Sequence, residues 1–475
     1  MNTPMRTEHD LLGEREVPAD AYWGIHTLRA RENFPISGVA IGSSPDLLRA
    51  LALVKHAAAL ANGDLGLLSA DKVGVIGAAC EEIAQGALAD QFVVDMIQGG
   101  AGTSTNMNAN EVIANRALER MGRPRGDYAA LHPIEDVNCS QSTNDVYPTA
   151  LRLTAIFAIR GLIGAMAHLR GAFEAKAFEF RDVLKIGRTQ LQDAVPMTLG
   201  QEFSTYAVML GEDELRLAEA LSLMREISLG ATAIGTGINT DPAYAPTACR
   251  HLIRLSGEPL TMAPNLVEAT QDTGAFMQLS GVLKRVAVKL SKTCNDLRLL
   301  SSGPQAGLNE IRLPARAAGS SIMPGKVNPV IREVVNQIAF EVIGNDMTIT
   351  MAAEAGQLQL NAFEPIIAYS LIKSISHLRA GCHTLADHCI AGIQANRELL
   401  TERVRNSVGL ATALNPYIGY ENASLIARLA LQSGRSVESL VLERGLLDES
   451  QLKAILRPEN LTRPQQRLSI GTPRT

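Results

Sequence analysis

A chain of 475 residues exceeds one ordinary hydrophobic core, so two or three domains are expected. Its net charge of −5 is small for that length, and the basic residues are dispersed. Both facts argue against a nucleic-acid or membrane-surface binder. Aromatic residues make up only 4% while Ala, Leu, Ile and Val are plentiful, a composition that favours helix packed on helix.

The first eight residues, Met1 to Glu8, contain no apolar core of a secretory signal. The most apolar runs are interrupted by Lys55 and Arg160, so no bilayer span and no membrane partner are expected. Cys80, Cys139, Cys249, Cys294, Cys382 and Cys389 are scattered without a CxxC pair and read as reduced residues of a cytoplasmic protein. His383 and His388 do not share a helix face, so a metal pair is not expected there; no metal site is assigned.

Residues 1–48 read as loop-rich, with turn and helix-entry signals at Val17-Pro18-Ala19-Asp20 and Ser44-Pro45-Asp46. Arg29 and Arg31 are either paired surface arginines or neighbours of an anion. Apolar spacing predicts helices over Leu47–Ala61 and Asp71–Gln85, the second capped by Ser69. The stretch Gln98-Gly99-Gly100-Ala101-Gly102-Thr103-Ser104-Thr105-Asn106 lacks both a preceding strand and the GxGxxG spacing, which rejects a dinucleotide loop. It offers neutral hydrogen-bond donors, or it caps a helix over 109–121. Cys139-Ser140-Gln141-Ser142-Thr143-Asn144-Asp145 repeats that pattern ahead of a long helix, with Pro148 expected in its first turn.

Five long helical patterns follow, at about 148–180, 198–228, 271–301, 329–356 and 364–395. Thirty residues span about 45 Å, so such apolar helices must pack on one another. The expected fold is all-α: a long central helical bundle over 143–397, flanked by mainly helical domains at 1–142 and 398–475. Helices this apolar all round also predict a homo-oligomer, with a tetramer the most economical closure. Between the first two, Gly187-Arg188-Thr189-Gln190-Leu191-Gln192-Asp193 reads as a polar loop. Asp448-Glu449-Ser450-Gln451 opens a short helix, and the tail beyond Arg463-Pro464 is expected to be poorly ordered.

One more stretch holds most of the chemistry: Gly319-Ser320-Ser321-Ile322-Met323-Pro324-Gly325-Lys326-Val327-Asn328-Pro329-Val330. Its glycines permit bending and close approach to a ligand. Ser320 and Ser321 bring hydroxyls, Lys326 a positive charge and Asn328 an amide, with Asn328-Pro329 also fitting a helix N-cap and first position. A Walker A loop is rejected on its glycine spacing, Pro324 and Val327. No His/Asp partner flanks the serines, which leaves a hydrolase triad unsupported. Hydroxyls, amides and one lysine suit a small carboxylate substrate. A deprotonated serine removes a proton alpha to a carboxylate, and preset donors stabilise the charge that develops.

The 319–329 stretch resembles the signature of the aspartase/fumarase superfamily, and the resemblance covers nearly the whole chain. Asp10–Pro18, Gln141–Asp145, Gly187–Asp193, Leu299–Pro304 and Gly307–Glu310 resemble its ammonia-eliminating branch. Thr143 and Asn309 stand where fumarases usually have Ser and Gly, and Gln190 where fumarases and several aspartases have His. The resemblance implies anti elimination of ammonia from L-aspartate to give fumarate, with no organic cofactor; class II fumarate hydratase is the alternative. It implies Ser320 as general base, on a mobile loop. Thr103, Ser142, Thr143 and Thr189 would hold the substrate carboxylates, with Lys326 and Asn328 on the one next to the reacting carbon. Ser321 would line the site, and Asn144 and Gln190 would lie near the amino group. It also implies a homotetramer in which three subunits build each site. Divalent-cation activation is not readable from the residues.

Overall fold

The computed structural model describes residues 4–464. In chain order, a hairpin of β1 (Met5–Asp10) and β2 (Gly13–Pro18) is followed by α1 (Ile25–Asn33), α2 (Pro45–Asp64), α3 (Ala70–Ala84) and α4 (Thr103–Arg120). The longest helix, α5 (Thr143–Glu179), leads into a second hairpin, β3 (Leu184–Thr189) and β4 (Gln192–Thr198). Next come α6 (Leu199–Met224), the shorter α7 (Tyr244–Ser256), and three more long helices, α8 (Gly274–Leu300), α9 (Val330–Glu354) and α10 (Glu364–His388). Six short helices close the described chain: α11 (Arg397–Asn406), α12 (Leu410–Ile418), α13 (Tyr420–Ser433), α14 (Val437–Glu443), α15 (Glu449–Ile455) and α16 (Pro458–Thr462). Among the described residues the strands form only two-stranded sheets, and the fold is of the helical class.

Several expectations need correcting at this level. The stretch read as a polar loop from Gly187 is strand on both sides of a turn at Gln190 and Leu191 in the β3–β4 hairpin, and residues 1–48 contain a hairpin and a helix. The helix expected over 109–121 begins at Thr103, and α5 begins at Thr143, so Pro148 lies inside the helix rather than in its first turn. Capping residues stabilise the first turn without stopping the helix from including them, which moved both boundaries. Asn328 does not cap α9. The carbonyl of Pro329 accepts from Glu333 N, and the Asn328 side chain turns back to Gly319. Ser69 caps α3 as expected, and Asp448 with Gln451 forms a reciprocal capping box on α15. The tail expectation lies outside the described residues.

Two compact units divide the chain, and each of the five long helices contributes a segment to both. The first comprises residues 1–164, 213–288 and 338–379. In it α2 packs on α3 and α7, and α4 packs on α1 and α3. Leu151, Ala155, Phe276, Ala368 and Leu371, from α5, α8 and α10, enclose an apolar contact region. Helix α5 is long and apolar enough to cross a membrane, but 67% of its most apolar stretch is buried in the chain, which fits a core helix.

The second unit comprises residues 165–212, 289–337 and 380–475. Phe173, Phe203 and Tyr206 meet with ring centroids 5.3–6.2 Å apart, joining the end of α5 to the start of α6. A separate apolar core gathers Leu410, Leu414, Ile426, Leu440, Val441 and Leu452 from the short helices, together with Ile186 of β3. That core anchors the β3–β4 hairpin. All six cysteines are free thiols, buried except for the half-buried Cys139.

Candidate active site

Four of the anticipated residues come together in the first unit, at the N-termini of two helices. Gly100, Ala101 and Gly102 all take positive φ (90°, 52° and 89°) and turn the chain into α4. A side chain at Gly102 would strike the Tyr147 ring at 2.4 Å, so only glycine fits there. Thr103, the first residue of α4, is exposed and donates to Gly100 O at 2.7 Å. At the start of α5, Ser142 Oγ accepts from Asn144 N at 3.2 Å while Asp145 Oδ1 accepts from Ser142 N at 2.9 Å. Asn144 donates to Ala233 O at 2.7 Å.

Asn106 bridges the two helix ends. Its Nδ2 donates to Thr143 Oγ1 at 3.0 Å and to Asn138 Oδ1 at 3.1 Å. Asn138 Oδ1 also accepts from Lys55 Nζ at 2.9 Å and from Asn110 Nδ2 at 3.2 Å. Lys55 is fully buried, and burial pushes its pKa down to about 7 despite the attraction of Asp145. Burial pushes the Asp145 carboxyl up to about 6, against hydrogen bonds from Ser142 N and Gly230 N. Helix N-termini carry unpaired N–H groups and partial positive charge, so two of them joined at their first turns, with a lysine behind, suit a carboxylate.

In the second unit, Thr189 and Gln190 sit at the β3–β4 tip. Gln190 and Leu191 have φ of 52° and 63°, and Thr189 pairs with Gln192, the pattern of a two-residue primed turn. Both Thr189 and Gln190 are exposed. Beneath them Lys185 Nζ lies 2.6 Å from Glu202 and 2.9 Å from Glu310, and Arg188 lies 2.6 Å from Glu310. Burial raises the Glu310 pKa, but the Lys185 and Arg188 charges outweigh it and leave a net lowering.

The signature stretch belongs to the same unit. Gly319 N donates to Lys326 O at 2.7 Å, and Asn328 Nδ2 donates to Gly319 O at 2.6 Å, which closes the loop. Inside it Ser320 Oγ accepts from Ile322 N at 3.1 Å and Met323 N at 2.9 Å. Ser321 and Lys326 are exposed. Arg29, the other arginine weighed as an anion neighbour, is bound to Asp10 at 2.7 Å, and Arg31 stacks over Trp23.

A family model described as Lyase matches residues 13–344, and one described as Fumarase C C-terminus matches residues 410–463. An aspartate ammonia-lyase from Pseudomonas fluorescens is 61% identical over 461 residues, covering 97% of this chain and 96% of the relative. The chain belongs to the aspartate ammonia-lyase family, within the aspartase/fumarase superfamily. A fumarate lyase:delta crystallin from Brucella melitensis, solved bound to cobalt, superposes with a TM-score of 0.95 at 57% identity, covering 97% of this chain and 100% of that one. A class II fumarase from Schistosoma mansoni gives 0.90 at 35% identity, covering 96% and 98%.

Within the aspartate ammonia-lyase family frame, Asn309 has a backbone meaning. Its φ is 48°, a conformation that Gly and Asn tolerate best, so an Asn-for-Gly exchange there preserves a turn. The residues not singled out from sequence are Asn106, Asn138, Asp145 and the buried end of Lys55. Lys55 had a signal: a charge in the middle of an apolar helix pattern, a position that lysine rarely occupies without partners.

Proposed function

We infer that this chain is a carbon–nitrogen lyase that eliminates ammonia from L-aspartate to give fumarate. The relatives' identity supports the reaction class, and the substrate class follows as a small dicarboxylate. The observation that carries the chemistry is the pair of backbone N–H groups aimed at Ser320 Oγ. A serine is a poor base, and each unit of pKa lowering takes about 1.4 kcal/mol of stabilisation selective for the alkoxide. Hydrogen bonds to the charged form supply stabilisation of that kind. Ser320 takes the C3 proton, and the electron pair left behind delocalises into the adjacent carboxylate, paired by Lys326 and Asn328; it then forms the C2–C3 double bond as the C2–N bond breaks and ammonia leaves. Thr103, Ser142, Thr143 and Thr189 hold the carboxylates, with Asn144 and Gln190 near the departing amine and Ser321 lining the site. The reaction needs a base and anion stabilisation, so no organic cofactor is invoked.

Catalytic residues on loops far apart in the chain fit a homotetramer with sites shared between subunits. An apolar stripe on α9 supports assembly: Phe340, Met347 and Met351 are 62%, 62% and 65% exposed at helical spacing. The unpaired thiols fit a cytoplasmic location.

The deciding experiment measures fumarate formation from L-aspartate and from L-malate with the purified protein. Activity on aspartate with little on malate is expected, and activity on malate alone overturns the reading. Ser320→Ala is expected to abolish turnover with the oligomer intact; near-normal turnover removes Ser320 as base.

A further inference from the structure

We propose that His168, His383 and Asp387 form a binding site for a divalent first-row transition metal of the Zn²⁺ or Co²⁺ class. His383 and Asp387 are four residues apart on α10, which places them on one helix face. His168 comes from α5. One ligand atom from each of the three lies within 4.8 Å of the other two, the single such grouping among the described residues. His168 Nε2 is 2.6 Å from Asp387 Oδ1, and the His168 and His383 rings are 5.4 Å apart between centroids.

The donor set decides the class of ion. Two imidazole nitrogens and one carboxylate oxygen suit Zn²⁺ and its neighbours, whereas Mg²⁺ and Ca²⁺ require mostly oxygen. Metal bonds of about 2.0–2.2 Å place tetrahedral ligand atoms roughly 3–3.5 Å apart. All three side chains are exposed, so the adjustment falls to rotation about their own bonds. Water completes the coordination, since three protein ligands leave at least one position open.

The backbone beneath the site is held. Arg316 Nε donates to His388 O at 3.0 Å, and its Nη2 donates to Asp387 O at 3.2 Å. These bonds fix the last turn of α10, which carries Asp387, and they come from the segment leading into Gly319. None of the three ligands is a residue assigned to elimination, and the site does not rest on that reading.

The test titrates Co²⁺ into untagged, metal-stripped full-length protein and follows the visible absorbance of the bound ion. One Co²⁺ per chain is expected, with affinity at least tenfold weaker in His383→Ala, Asp387→Asn and His168→Ala. Zn²⁺ is expected to compete for the same site and to raise the melting temperature of the parent protein more than that of the variants. Far-UV circular dichroism checks that each variant stays folded, and the three substitutions on two helices make the result independent of any one of them. Absence of a cobalt spectrum in the parent, or binding unchanged in the folded variants, overturns the site.

Discussion

Asn328 and Gly319 fasten the ends of the signature loop to each other, through the Asn328 amide donating to the Gly319 carbonyl at 2.6 Å. The Gly319 N–H meets Lys326 O in return. A Cβ at position 319 would lie 2.4 Å from Lys326 O and 2.7 Å from Asn328 N, both backbone atoms. Gly319→Ala therefore forces the clasp open. Steady-state kinetics should show kcat/KM for L-aspartate reduced at least about tenfold, equivalent to about 1.4 kcal/mol. The melting temperature should change little, because the loop is largely exposed. Wild-type kinetics for this variant would mean that the closed loop is unimportant to turnover.

Lys326 and Ser320 should separate kinetically. If Lys326 pairs a carboxylate that is charged before and during proton removal, Lys326→Ala raises KM more than it lowers kcat. A loss confined to kcat would instead place the lysine on charge that develops only in the transition state.

Asn106 links Thr143 to Asn138, and through Asn138 to Lys55. Asn106→Ala removes both donors from a buried position and should destabilise the fold by about 1–3 kcal/mol, measured by urea unfolding. The KM for aspartate should rise with it, since Thr143 loses its fixed orientation. A stable variant with unchanged KM would show that Thr143 is positioned by other contacts.

Glu364, at the first position of α10, is fully buried, and burial pushes its pKa up to about 8 against the pull of Arg152. A carboxyl whose folded pKa lies above its unfolded value contributes stability below the unfolded value, near 4.5, and loses it as pH rises through about 8. Glu364→Gln removes that titration. Melting temperatures measured from pH 5 to about 9 should fall less steeply for the variant than for the parent protein. Parallel profiles would mean that Glu364 stays ionised in the fold.

The long helices were legible because apolar residues recur along them at helical spacing, and α6, α8 and α9 fall within a few residues of their expected ends. The β3–β4 hairpin was not legible: Thr189 and Gln192 flank a primed turn built from Gln190 and Leu191, without the Asn-Gly or Gly residues that usually announce one. Its strands are held by Glu310 and by the core around Leu414, both distant in sequence. Thr103 and Ser142 were readable as hydroxyls near helix starts. Their union through Asn106 was hidden, because a hydrogen bond across many residues leaves no periodic trace. The His168–His383–Asp387 grouping was missed for the same reason: the pair weighed from sequence, His383 with His388, sits within one helix, and the third ligand comes from another.

The uneven burial of the thiols has a practical consequence. Burial lifts Cys80 to about 12 and raises Cys249, Cys294 and Cys389 as well, which keeps them as inert thiols in the native protein. Cys382 is buried too, whereas Cys139 is half-buried, with its carbonyl held by Asn62 at 2.9 Å and Gln141 at 3.0 Å, three residues ahead of Ser142. The folded chain thus carries one thiol that is not fully buried, placed where a spectroscopic label would report on the α5 N-terminus without any cysteine being added or removed.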